Sequence, residues 1–343
     1  MNRPRRVRRG FPFRFVAAGL VALTAVALTV AVLMYTQLMG YERVAARHLP
    51  AGVEAAVRID VEQRVLFDPV RRRLLPVLRR AIAPSLDSTD AERLFARLKG
   101  RTGLELGVDL REIVVASGPG TGEWGLVLGG LFPRHAVLEA LHSLLQEAGV
   151  PGVHSVRDGQ LRFANGRCIA ASDTGLLVIA SSCSWVSGGL RQRSATSWSR
   201  YLASAPIAAV SLAAPVHFPA TAPEPERVNG GFGRGSEFRF SAELAPPSVP
   251  VTAEVFLDDE GHTGQPDDPG PSPLPGESTQ RVRRGVPWPP SRVFERATVR
   301  ARSEHRLVLE STLTGTDLEE WILAVAQWTS TMVLGPEGLV TRR

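Results

Sequence analysis

The sequence predicts an α+β fold, in which antiparallel strands and amphipathic helices form an outer domain behind one N-terminal hydrophobic helix. Three observations predict it. Short runs that alternate apolar and polar residues recur between clusters of turn residues, as half-buried strands do. Longer runs carry apolar residues every three to four positions, as surface helices do. Both follow an uncharged stretch of twenty residues, 15–34.

That stretch, FVAAGLVALTAVALTVAVLM, spans about 30 Å as a helix, the thickness of a bilayer core. Arg3, Arg5, Arg6, Arg8, Arg9 and Arg14 precede it, and the first acidic residue is Glu42. The positive-inside rule keeps such a tail in the cytoplasm, so these six arginines set the topology. Tyr35 and Tyr41 follow where interfacial rings are favoured. A cleaved signal peptide has an apolar core of only about 7–15 residues closed by small residues, whereas Tyr35, Gln37, Leu38 and Met39 follow this one. The expectation is therefore a single-pass protein of a bacterial inner membrane. It has a cytoplasmic tail at 1–14, a membrane helix at 15–36, a tether at 37–50 and the remainder in the periplasm.

The outer region divides into an α+β unit at 51–200 and a second half at 201–343. Val53, Ala55, Val57, Ile59 and Val61 alternate with Glu54, Arg58, Asp60 and Glu62, the pattern of a half-buried strand. Asp68-Pro69 opens a helix whose stripe is Val70, Leu74, Val77, Leu78 and Ile82, with a kink expected at Pro76. Thr89-Asp90-Ala91-Glu92 reads as a capping box for a helix burying Leu94, Phe95 and Leu98 and ending near Gly100. Strands follow at 112–117 and 124–131, then a helix from about Pro133 to Ala148. A meander at 160–165, 168–172 and 175–181 turns at Asn165-Gly166 and Asp173-Thr174-Gly175.

The second half carries strand-like runs at 206–213, 236–244, 249–257, 294–302 and 306–313. A final helix is opened by Thr316-Asp317-Leu318-Glu319, with Leu318, Trp321, Ile322, Val325 and Met332 on its core face. The segments EWGLVLGGLFPRHAVLEALHSLL and EHRLVLESTLTGTDLEEWILAVA share the order strand, turn, helix, which suggests an internal duplication. Residues 214–235 and 261–291 are Pro- and Gly-rich loops, the second with eight prolines and a Pro287-Trp288-Pro289-Pro290 motif. A solvated insertion is favoured there over a docking ligand.

Charge excludes one function class. The formal net charge is +6, but setting aside the six N-terminal arginines leaves 34 basic against 34 acidic residues. The domain itself lacks the basic surface that a nucleic-acid binder needs. Several motifs are also declined. Gly120-Thr121-Gly122-Glu123-Trp124-Gly125 matches a dinucleotide fingerprint, but a strand-like run follows where a helix is required. His135, Glu139 and His142 share a helical face, yet no fourth ligand or supporting shell is visible, so they read as its wet side. Asp258, Asp259, Glu260, Asp267 and Asp268 lack the alternation of a calcium loop. Arg71, Arg72, Arg73, Arg79 and Arg80 read as a solvated helix face more than a headgroup contact. No catalytic, cofactor or metal site is assigned.

Cys168 and Cys183 are the two cysteines. An oxidising compartment permits a bridge, and the turn at 173–175 brings the two regions close. In a simple hairpin, however, Cys168 pairs near Ile179 and leaves Cys183 too far along. Bridged and free thiols both stay open.

His48-Leu49-Pro50-Ala51-Gly52 leading into AAVRIDV resembles the start of a family of membrane-anchored bacterial extracytoplasmic proteins of unknown function. That family's outer domain opens with an LPA motif and a strand ending in Asp. Arg101-Thr102-Gly103-Leu104, Val108-Asp109-Leu110 and the Gly-rich strand at 124–132 fit the same pattern over residues 48–185, although Gly52-Val53 stands where the family has Asp-Thr. The resemblance implies an α+β extracytoplasmic domain and no active site. The function expected is an anchored binding or scaffold protein whose partners are the bilayer, through 15–36, and an unidentified protein or envelope component. The alternative is an envelope hydrolase with a scattered site near His154 and Asp158.

Overall fold

The computed structural model describes residues 21–32, 41, 43–50, 53–62, 68–118, 122–132, 134–150, 152–157, 159–172, 175–191, 201–202, 208–215, 237–243, 249–256, 286–303 and 306–335. Contacts divide the chain into Met1–Glu42 and Arg43–Arg343. In the first unit residues 21–32 are helical, and Thr24 and Thr29 donate their hydroxyls to the carbonyls of Val21 and Ala25, at 3.0 and 2.8 Å. Val21, Leu23, Val26, Leu28, Val30 and Val32 are exposed along it. Among the described residues no helix is long and apolar enough to cross a membrane. The span expected over 15–36 thus has only its middle in view, and the six arginines lie outside the described residues.

In the second unit, alternating apolar runs become β1 (Ala55–Asp60), β2 (Leu110–Ser117), β3 (Trp124–Gly130), β4 (Val153–Arg157), β5 (Gln160–Phe163), β6 (Cys168–Ala171) and β7 (Leu176–Ala180). They continue with β8 (Ala208–Pro215), β9 (Glu237–Glu243), β10 (Val249–Phe256), β11 (Thr298–Arg302) and β12 (Arg306–Leu313). All twelve form one sheet in the order β11-β12-β10-β9-β8-β1-β2-β3-β7-β6-β5-β4, and every pairing is antiparallel. The chain is therefore α+β, with β1 and β8 at the junction of its two halves. Outward from that junction the order is β1-β2-β3-β7-β6 on one side and β8-β9-β10-β12-β11 on the other.

The main core lies on one face of this sheet. Val57, Ile59, Ile113, Val115, Leu126, Leu128, Leu177 and Ile179 point into it, together with Phe240, Ala242, Val251 and Ala253 from the second half. The helices that meet these residues are α1 (Leu75–Ile82), α2 (Ser88–Thr102), α4 (Arg134–Glu147) and α7 (Gly315–Leu334). Phe240 meets Trp321 of α7 edge-on at 4.9 Å, a favoured aromatic geometry. The short α3 (Leu106–Asp109), α5 (Cys183–Arg191) and α6 (Ser291–Glu295) complete the described helices.

Several expectations need correction. The cap of α2 is Asp87, whose carboxylate accepts from the Asp90 amide, and the helix runs to Thr102 before Gly103 ends it at φ 75°. The box on α7 is Thr314 with Asp317 rather than one opened by Thr316. No simple kink marks Pro76. Its ring would press on the Arg72 carbonyl in a regular helix, and the preceding turn, Val70–Leu74, widens into a π-turn in which the Leu75 amide reaches Val70. The run at 294–302 splits into the end of α6 and β11. Of the loop expected to be solvated, 261–285 lies outside the described residues; at its end Pro287 and Pro289 are buried, and the Trp321 indole donates to the Pro287 carbonyl at 2.7 Å.

Candidate functional site

The sequence pattern makes β1 a half-buried strand, yet all six of its residues are buried. Arg58 and Asp60 point away from the main core, and on β2 so does Glu112, directly opposite Asp60 in register. All three have no exposed surface. Two like charges facing each other across a ladder are unfavourable unless compensated. Arg58 pairs with Glu112, while Arg43 sits 2.9 Å from Asp60 and 2.7 Å from Glu62. Arg111 adds a contact to Glu62 at 3.3 Å. Burial pushes the Asp60 carboxyl up, by more than Arg43 and Arg58 pull it down.

The covering layer is the segment Arg43–Pro50, part of the expected tether. The Ala45 amide donates to the second Glu112 oxygen at 3.1 Å, so one carboxylate holds both a strand arginine and the turn Ala45–His48. Ala45, Ala46 and Leu49 are fully buried. His48 Nδ1 donates to the Gly189 carbonyl of α5 at 3.2 Å. In return, a Cβ on Gly189 would collide with the His48 carbonyl. Residues 43–50 are thus a strap seated on the second face of the sheet.

Helix α5 continues that layer. Its Trp185 ring lies on Gly125 of β3, where any Cβ would overlap the indole, and Gln160 donates to Ser187 at 2.9 Å. The two cysteines meet here: Cys168 on β6 and Cys183 at the first turn of α5 are disulfide-bonded, with Cα atoms 5.0 Å apart. Cys168 pairs with Ala180 in the sheet. Strand β7 ends at Ala180 and the chain folds back at Ser181-Ser182, which returns Cys183 over the sheet.

The remaining flagged residues are scattered. Gly122 and Glu123 lie at the β2–β3 hairpin, closed by the Gly118 amide on the Glu123 carbonyl at 2.9 Å, and lead into β3. On α4, Glu139 is exposed while His142 is half-buried with its Nε2 out of water, so this residue is not on a fully wet face; the His135 side chain lies outside the described residues. So do the acidic positions at 258–268, the side chain of His154, and Asp158. Among the described residues no cluster of three or more His, Cys, Asp or Glu is placed to hold a metal.

One tether joins the halves away from the strap. Arg167, in the β5–β6 turn, donates to the Val333 carbonyl in the last turn of α7 and lies 5.5 Å over the Trp124 ring. At the other end of α7, Asp317 is clasped by Arg292 and Arg296. Burial pushes the Asp317 carboxyl up, but the Thr314 amide and these two guanidinium groups outweigh it and hold it well below the usual carboxylate range.

No protein-family model matches the chain, and no curated protein matches it. Solved structures of TP0453 do align with it. Crystal form I is 11% identical, covering 83% of this chain and 98% of that one at a TM-score of 0.43. Form III is 10% identical, covering 82% and 97% at 0.44, and form IV is 12% identical, covering 82% and 96% at 0.40. At these scores the likeness supports no statement about fold or function.

Proposed function

We propose that the chain is an anchored extracytoplasmic binding or scaffold protein. One observation carries this reading: residues 43–50, in the segment expected as a plain tether, are a strap locked onto the sheet by Arg43 and Ala45 and onto α5 by His48. Such a strap builds the N-terminal end of the domain into its own buried layer. The bilayer, through 15–36, is one partner and an envelope component is the other. The six N-terminal arginines place the tail in the cytoplasm and the domain in the periplasm. The family resemblance is consistent with this, because Leu49-Pro50 of the LPA start is where the strap meets α5: Pro50 lies 3.4 Å from a Cβ built on Gly188.

We also read the sheet as an internal duplication, supported by the matching strand order on either side of β1 and β8. The equivalence differs from the one in the sequence pattern: β12 holds the place of β7, not of β3.

Reporter fusions after Arg47 test the topology. They are expected to be active only outside the cytoplasm, and cytoplasmic activity would overturn orientation and localisation together. Crosslinking in native membranes then identifies the partner. A chain that captures nothing reproducibly across independent membrane preparations contradicts the scaffold role.

A further inference from the structure

We infer that the groove between the π-turn and α7 binds a small dipolar ligand, a phosphorylated amine of the phosphoethanolamine type. The groove has a volume of about 220 Å³ and is lined by Pro69, Arg72, Arg73, Glu319, Glu320 and Leu323. That is below the size of a typical drug-sized site and suits a ligand of few atoms.

The walls carry opposite charge. The π-turn sets Arg72 and Arg73 side by side and exposed on one wall, and such turns inside helices are frequent at functional sites. The first turns of α7 set Glu319 and Glu320 on the other. Among the described residues no ion pair crosses between the walls. Instead each wall is braced from behind: Arg72 Nε donates to the Asp68 carbonyl at 3.4 Å, and Glu320 is held by Arg292 at 2.9 Å. Arg73 and Glu319 have no hydrogen bond or ion pair to any described residue and face the groove.

The charge arrangement selects the ligand class. A simple anion drawn to the guanidinium wall is repelled by the carboxylates opposite, and a simple cation meets the reverse. A ligand with an anion at one end and an ammonium at the other satisfies both. Paired guanidinium groups, with planar forked donors, favour phosphate at the anionic end. Leu323 and Pro69 give the short carbon link an apolar surface. The site is open, so affinity on the order of 1 mM is expected for so small a ligand. The source is either a lipid headgroup or a free phosphorylated amine, and the chemistry is shared.

The test uses the full chain in maltoside micelles and soluble glycerophosphoethanolamine, read by saturation-transfer NMR, with inorganic phosphate and ethanolamine as separate controls. Saturable binding is expected, weakened tenfold or more by Arg73→Gln and equally by Glu319→Gln. Both positions are exposed, so both variants should keep the parent melting temperature. Absence of saturable binding overturns the proposal. So does phosphate binding as tightly as the dipolar probe with Glu319→Gln having no effect, since that describes a plain anion patch. In nanodiscs, phosphatidylethanolamine replacing phosphatidylglycerol competes with the probe if the headgroup is the source, and leaves it unaffected if the free compound is. Either pattern supports the site. The result is independent of the reporter fusions, so failure of one reading does not conceal failure of the other.

Discussion

Replacing Glu112 with Ala tests whether the buried charge cluster holds the strap. The substitution removes the ion pair of Arg58 with Glu112 and the acceptor of the Ala45 amide in one step. Arg58 has no exposed surface, so its charge cannot turn to water for compensation. Breaking one side of such a pair costs about 3–5 kcal/mol, a large share of the roughly 5–15 kcal/mol by which a domain is stable. Urea unfolding of the full chain in detergent, followed by tryptophan fluorescence, reads this directly. With an m-value of about 3 kcal/mol/M the midpoint should fall by about 1–1.7 M. The double variant Arg58→Met with Glu112→Leu removes both charges, and should recover most of the loss except the orphaned Ala45 amide, about 1–3 kcal/mol. A cost below about 1 kcal/mol for Glu112→Ala would refute the reasoning, because it would mean that water already reaches Arg58.

Gly125→Ala should destabilise by about 1–3 kcal/mol through overpacking against Trp185, seen as a lower melting temperature; an unchanged value contradicts the seating of α5. Asp317→Ala removes the acidic half of the α7 capping box and should cost about 1–2 kcal/mol. Because the folded Asp317 carboxyl titrates below its unfolded value, its contribution is complete above the unfolded pKa and disappears as pH falls through the folded one. Acid unfolding should therefore be shallower in the variant than in the parent. Glu147 is lowered to about 2 by Arg101, Ser143 and Arg97, so NMR titration should find it ionised at pH 3, and Arg101→Gln should raise it toward 4.5. Thiol reagents should label neither cysteine in the unreduced, denatured chain, and Cys183→Ser should cost about 3 kcal/mol for a loop closed over 15 residues; two reactive thiols would rule out the bridge.

Most strands and long helices were legible in the sequence, because period-2 and period-3.6 patterns report directly which face is buried. Boundaries were less so. The caps at Asp87 and Thr314 each lie two residues before the motif that resembled a capping box, since a second acid nearby completes the same letter pattern. Helix α5 was invisible because Gly188 and Gly189 weaken its propensity, and the reason for Gly189 lies in a carbonyl 141 residues away. The site was the least legible part. Arg58, Asp60 and Glu112 have the spacing of solvent-facing strand residues, and they are covered by the strap, a segment that reads as a plain tether. The groove was half visible: the arginine row stood out, but the carboxylates facing it come from the far end of the chain.

The position of β1 has a mechanical consequence. A strand at the margin of a sheet can be peeled away one hydrogen bond at a time, so a chain tethered through an edge yields at low load. Here a pull from the N-terminal side first meets the Arg43 ion pairs and the Ala45–Glu112 bond. Only then does it reach β1, which is laddered on one side to β2 and on the other to β8. Tension therefore enters where both halves share it, and β1 cannot leave without breaking two ladders at once.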